Sequence, residues 1–189
     1  GIVYHVVFPV KRPGAYQYRV AVRDAGADRV GTASQFVDIP DLKKSDHVLS
    51  SIVLDSYSTD QWEKAVAVNA PNAQLPSNSM GDTSLRKFKA DTVVRYGFEV
   101  YNAKLDSAGK PNLSTKIRVV RDGQLVLDGK TVPFELLGQT DTARLKSVGV
   151  VSFGKGTPPG EYVLQIIVTD NLAKKKRQIA TQYVQFEIV

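Results

Sequence analysis

Tyr16, Tyr18, Val20 and Val22 alternate with Gln17, Arg19, Ala21 and Arg23. A period of two sends the first set to one face of a strand and the second set to the other. Pro13-Gly14 precedes this strand and Asp24 closes it. The pattern returns far downstream, as Pro159-Gly160, then Tyr162, Leu164, Ile166 and Val168 on one face, then Asp170. Pro presets φ and Gly permits positive φ, so each Pro-Gly is turn chemistry. Each strand is followed by a related block, Ala33-Ser34-Gln35-Phe36-Val37 and Ala180-Thr181-Gln182-Tyr183-Val184. The strands match at an offset of 146 and the blocks at 147, so the second connection is one residue longer. Two copies of one closing hairpin predict two tandem domains of one type.

The same alternation places the other elements. Ile2 to Val10 is apolar and β-branched and reads as a strand. With the hairpin after it, residues 1–39 supply about three strands, too few for a sandwich of roughly seven. They read as the last strands of a first domain whose earlier strands lie upstream. Residues 40–47 begin at Pro40 and are polar, which predicts a linker. The second domain is expected over 48–189, starting with a strand at Val48 to Leu54. Residues 56–84 lose the alternation and predict a long loop, with room for a helical turn around Gln61 to Val66. Thr92 to Tyr101 is a strand. Thr115 to Arg121 and Gln124 to Leu127 flank Asp122-Gly123, a strong hairpin signal. Val132 to Leu137 and Leu145 to Phe153 complete about eight strands, with no convincing amphipathic helix. The expected fold is all-β: tandem immunoglobulin/fibronectin-III-like antiparallel β-sandwiches, the first represented only by its last strands. Tyr16 and Tyr162 stand where such sandwiches place a tyrosine corner, whose hydroxyl bonds back to nearby backbone.

Composition narrows the chemistry. The 189 residues include no cysteine and only His5 and His47. Disulfides, thiol catalysis, cysteine-based zinc sites and multi-histidine metal sites within one chain are therefore excluded. No apolar run is long enough to span a membrane. The net charge of +6 is spread: 7 basic and 5 acidic residues up to Asp46, 18 and 14 beyond it. Mild, dispersed basicity aids solubility and does not imply nucleic-acid binding. No cofactor is implied.

Several short motifs suggest chemistry and each has a plainer explanation. Asp55-Ser56-Tyr57-Ser58-Thr59 looks like a metal-binding Asp-x-Ser-x-Ser run but carries Tyr57 in place of the first Ser. Gly154-Lys155-Gly156-Thr157 lacks phosphate-loop spacing, and Pro158-Pro159 forbid the helix that should follow. Asn112-Leu113-Ser114 fits a glycosylation sequon by chance. Lys174, Lys175, Lys176 and Arg177 form the sharpest charge run. It reads either as an anionic-surface contact or as a solvated hairpin tip that discourages edge pairing. No aromatics are interleaved to stack bases. Tyr57, Trp62 and Tyr101 could form an aromatic platform for a glycan, or cover the end of the sandwich. No Ser/His/Asp arrangement can be drawn with the two histidines in different domains.

The runs Pro13 to Asp24, Gly31 to Val37, Ile39 to Leu42, Arg95 to Ala103, Pro158 to Gln165 and Val168 to Asp170 resemble the C-terminal β-rich region of the VWFA-related proteins typical of Acidobacteria. The resemblance covers nearly the whole chain except 56–84. It implies an exported bacterial protein in which a von Willebrand factor A domain precedes this region. The expected function is a non-enzymatic extracytoplasmic structural or protein-interaction module. The expected partner is a protein or the upstream domains of the same chain, with self-association through the 2–39 strands as one route. The alternative is a carbohydrate-binding sandwich that uses the aromatics near 56–84.

Overall fold

A computed structural model describes residues 6–43, 46–67 and 85–189. The chain divides into two compact units, His5–Ser45 and Asp46–Val189. In the first unit β1 (Gly14–Asp24) pairs antiparallel with β2 (Arg29–Ile39). The strand expected at Ile2 to Val10 is absent from its described part, 6–10. Pro9 lacks the N–H that a ladder needs, and Pro13 follows closely.

The second unit is a β-sandwich. One sheet runs β10 (Arg144–Phe153), β6 (Thr92–Tyr101) and β3 (Val48–Leu49), with β4 (Val53–Ser58) also on β6. The other runs β5 (Lys87–Phe88), β12 (Ile179–Ile188), β11 (Gly160–Asp170), β7 (Leu113–Arg121) and β8 (Gln124–Asp128), with β9 (Val132–Pro133) beside β7. The strand expected at Val48 to Leu54 is thus two short strands that continue to Ser58. The alternating residues of both sheets meet in one core. Leu54, Val94, Phe98, Val100 and Leu145 come from the first sheet, and Val119, Leu164, Ile166, Val168 and Phe186 from the second. Phe153 crosses between the sheets, edge-on to Tyr162 and Phe186 at 5.7 and 5.4 Å. This is the expected all-β immunoglobulin-like architecture.

The turn predicted at Asp122-Gly123 forms with φ of 50° and 77°, the left-handed pair of a type I′ hairpin. Part of the expected loop is ordered structure: α1 (Thr59–Ala67) follows β4 directly. Its start is a capping box. Ser58 Oγ accepts from Gln61 N at 3.2 Å while Ser58 N donates to Gln61 Oε1 at 3.0 Å. The remainder of that loop, 68–84, lies outside the described residues. The expected linker also ends earlier, because Asp46 and His47 belong to the sandwich unit. Asp46 pairs with Arg177 at 3.3 Å and His47 is buried.

Both predicted tyrosine corners form. Tyr16 Oη donates to Arg12 O and Tyr162 Oη to Pro158 O, each at 2.7 Å and each four residues back. Gly14 and Gly160 take φ of 136° and 143°, which a side chain rarely permits. The hairpins differ in register. Tyr16 opposes Val37, whereas Val184 opposes Leu164 rather than Tyr162. The second strand has slid by two residues, an even step that keeps every side chain on its face.

Candidate functional site

The three aromatics proposed as a platform do not come together. Tyr57 pairs with Val93 at one end of β6 and Tyr101 closes the other end. Eight residues of strand separate these positions, about 26 Å at the usual rise. Tyr57 is 1% exposed, beneath Trp62 at 5.8 Å between ring centroids. Arg95 lies over the Tyr57 ring at 5.1 Å and pairs with Asp55 at 2.7 Å. Burial raises the Tyr57 pKa against the pull of Arg95. Tyr57 therefore serves packing: one of its faces meets a cation and its surroundings exclude solvent. Trp62, on α1, is half-buried. Tyr101 is half-buried as well and donates to Glu99 Oε2. Burial, then that hydrogen bond, raises its pKa. The metal-like Asp55 run is accounted for by the Arg95 ion pair and the helix cap.

The basic run occupies the connection between β11 and β12, with Lys175–Arg177 as a 3₁₀ turn. Its framework is Asp170, which is buried. Asp170 Oδ1 accepts from Leu172 N at 2.9 Å and Oδ2 from Lys104 N at 2.8 Å. Asn171 N donates to Asn112 O at 2.9 Å, so the sequon asparagine is a brace for this turn. A groove of about 520 Å³ is lined by Asp46, Lys104 and Lys174 to Arg177. Asp46 neutralises Arg177, while Lys174, Lys175 and Lys176 have no carboxylate partner among the described residues. Clustered cations without carboxylate partners raise the local positive potential and disfavour strand pairing. Nearby in sequence, His47 is 6% exposed and neither ring nitrogen makes a hydrogen bond among the described residues.

The sequence motifs missed a third region. β8 and β10 are edge strands of opposite sheets, and between them lies a cleft of about 530 Å³. Its floor is core: Val119, Val151, Phe153 and Tyr162. Val126 and Leu127 wall it on the β8 side. β7 residues Val119 and Val120 pair with Leu127 and Leu125, so Val126 is an extra, bulged residue. A bulge brings consecutive side chains to one side, and both Val126 and Leu127 line the cleft. Gly154, Gly156 and Pro158 close one end, where the supposed phosphate loop is a turn. Arg121 is the one charged residue in the lining. Its Nη2 donates to Pro159 O at 2.9 Å and its Cζ stands 5.9 Å from the Tyr162 ring. The Nε is 3.4 Å from Asp122 Oδ2 but makes no hydrogen bond among the described residues. The signal available in sequence was the unbroken apolar triplet Leu125-Val126-Leu127, which fits neither alternation nor a polar edge.

No protein-family model matches the chain. Nor does any curated protein. Among solved structures, a superoxide reductase (neelaredoxin) from Ignicoccus hospitalis aligns with 15% identity and a TM-score of 0.37, covering 55% of this chain and 75% of its own. A CARDB domain from Pyrococcus furiosus, solved with di-metal ions, aligns with 18% identity and a TM-score of 0.31, over 55% and 84%. A Niemann-Pick type C2 protein from the Japanese carpenter ant aligns with 11% identity and a TM-score of 0.37, over 76% and 92%. These are distant likenesses, and the fold rests on the strand pairing itself. Among the described residues, no group of acidic or histidine side chains could hold a metal ion, and no helix is long and apolar enough to cross a membrane.

Proposed function

We propose that this chain is a non-enzymatic, extracytoplasmic structural and protein-interaction module of a bacterial protein that carries a von Willebrand factor A domain. Its docking element is the β1–β2 hairpin. The observation that carries this reading is a mismatch between equivalent faces. Val20 is 36% exposed, whereas Ile166, its counterpart in the repeat, is 0% exposed. Tyr16 and Tyr18 are 39% exposed and Val22 61%, with Phe8 edge-on to Tyr18 at 5.5 Å, where Tyr162, Leu164 and Val168 are buried. A two-stranded hairpin is marginal alone in water, and a contiguous apolar face calls for cover. The repeat specifies what fits: a sheet of another immunoglobulin-like domain, lying on this face as the β10-β6-β4 side lies on β11–β12. Recognition would be by sandwich surfaces and sheet edges, with no cofactor. The export and A-domain elements of the proposal are supported by the sequence resemblance alone.

Light scattering and amide hydrogen exchange, run together over a range of concentrations, test the docking. The expected result is mass and protection of 14–39 rising in parallel. A clean monomer in which 14–39 is already protected would refute it.

A further inference from the structure

We propose that the cleft between β8 and β10 is a binding site for a single-chain carboxylate amphiphile, a fatty-acid-like molecule. The acyl chain lies along the apolar floor and the carboxylate meets Arg121. This site is independent of the hairpin and of its partner.

Four observations converge. The volume, about 530 Å³, lies within the range of small-molecule sites. The floor residues Val119, Phe153 and Tyr162 are core side chains that keep only 1–6% of their surface exposed, so most of the apolar contact would come from Val126 and Leu127 on the β8 edge above them. The bulge on β8 adds Val126, 55% exposed, to the wall. Bulges that re-aim side chains are common beside binding sites. Finally, the lining carries a single charge, the guanidinium of Arg121, which makes one hydrogen bond and one loose ion contact. Arginine offers five donors in a fork that matches a carboxylate. One apolar trough with one cation suits one chain with one anionic head. A sugar would find only Ser152, Thr157 and Arg121 as side-chain polar partners in a mainly apolar lining, and a two-tailed lipid would find room for one tail.

The test is calorimetric titration of the intact chain with octanoate, decanoate and laurate below their micelle concentrations. Affinity is expected to rise with each added methylene, by less than the roughly fourfold of full burial because one side of the acyl chain faces solvent. Arg121→Gln should weaken laurate roughly ten- to a hundredfold and leave decanol unchanged. Val126→Asp places a charge in the wall and should abolish binding of both. Val126 is on an exposed edge, so this variant is expected to keep the wild-type circular dichroism and melting temperature even if Arg121→Gln loosens the Pro159 turn. Binding that shows no chain-length dependence would overturn the proposal. So would laurate binding that survives Val126→Asp, which would place the ligand on another apolar surface such as the hairpin.

Discussion

The two Pro-Gly-x-Tyr hairpins are a controlled comparison within one molecule. They share a glycine at positive φ, a tyrosine corner to the carbonyl four residues back, and an aspartate that caps the connecting turn. Asp24 Oδ1 accepts from Gly26 N and Ala27 N, as Asp170 Oδ1 accepts from Leu172 N. Yet one apolar face is exposed and the other is dry core. Local sequence is therefore sufficient for the shape of the hairpin and insufficient for its burial, which depends on what the rest of the chain sets opposite. The energetic weight of the same side chain should differ accordingly.

The largest expected effect is at the matched pair Val20 and Ile166. Ile166→Ala should destabilise the sandwich by about 2–5 kcal/mol, read from the urea midpoint. Val20→Ala should change protection of its own hairpin by less than about 0.5 kcal/mol, read from amide exchange. Measured at dilutions where the hairpin is undocked, equal costs would break the comparison by showing that its face is already covered within the chain. Next come the caps. Asp170→Ala strips two backbone donors of their acceptor in a buried turn and should cost about 1–3 kcal/mol in urea. Asp24→Ala, in solvent, should cost a few tenths in its hairpin's exchange. The corner hydroxyls follow. Tyr162→Phe should cost about 1 kcal/mol, and Tyr16→Phe much less, by the same two measurements. If Tyr16→Phe proves the costlier, the corner matters most where nothing else holds the hairpin.

The smallest effect is confined to alkaline pH. Burial raises the Tyr96 pKa above its usual value near 10, so the folded state holds that proton more tightly than the unfolded chain. This contribution is fully present below pH 10 and is lost as pH rises through the folded value. Unfolding followed by circular dichroism should show stability falling over that window, less steeply in Tyr96→Phe. The Tyr96 ring lies so close over Gly149 that a Cβ there would overlap its hydroxyl. Gly149→Ala should therefore expose Tyr96 and shift its ultraviolet titration back toward the ordinary range.

Much of this was legible in the sequence because it is local. Alternation placed the long strands, Asp122-Gly123 its turn, and the repeat both corners. Ser58-x-x-Gln61 is also a legible capping-box pattern, masked by its place at the end of an apolar strand. What escaped was non-local. A register slide of two residues leaves every face unchanged, so no pattern betrays it. The bulge at Val126 exists only relative to β7. The cleft is assembled from β7, β8, β10 and β11, which no spacing along the chain connects. Tyr57 and Tyr101 fail as one platform for the converse reason: both border the loop-like stretches of the sequence, yet one strand holds them apart.

The parallel pairing of β5 with β12 has a kinetic consequence. β12, the last strand in sequence, lies inside its sheet, between β5 and β11. Glu187 N donates to Arg86 O and Val189 N to Phe88 O, so residues a hundred positions apart must meet before the sheet is continuous. During synthesis the earlier strands wait with open edges until Ile179–Ile188 emerges. Loop closure of that length precedes any reward, which places this sandwich among the slow folders, on a millisecond-to-second scale. The cationic turn just before β12 is then more than a surface feature. Its clustered positive charges disfavour edge-to-edge pairing of the waiting strands until β12 arrives.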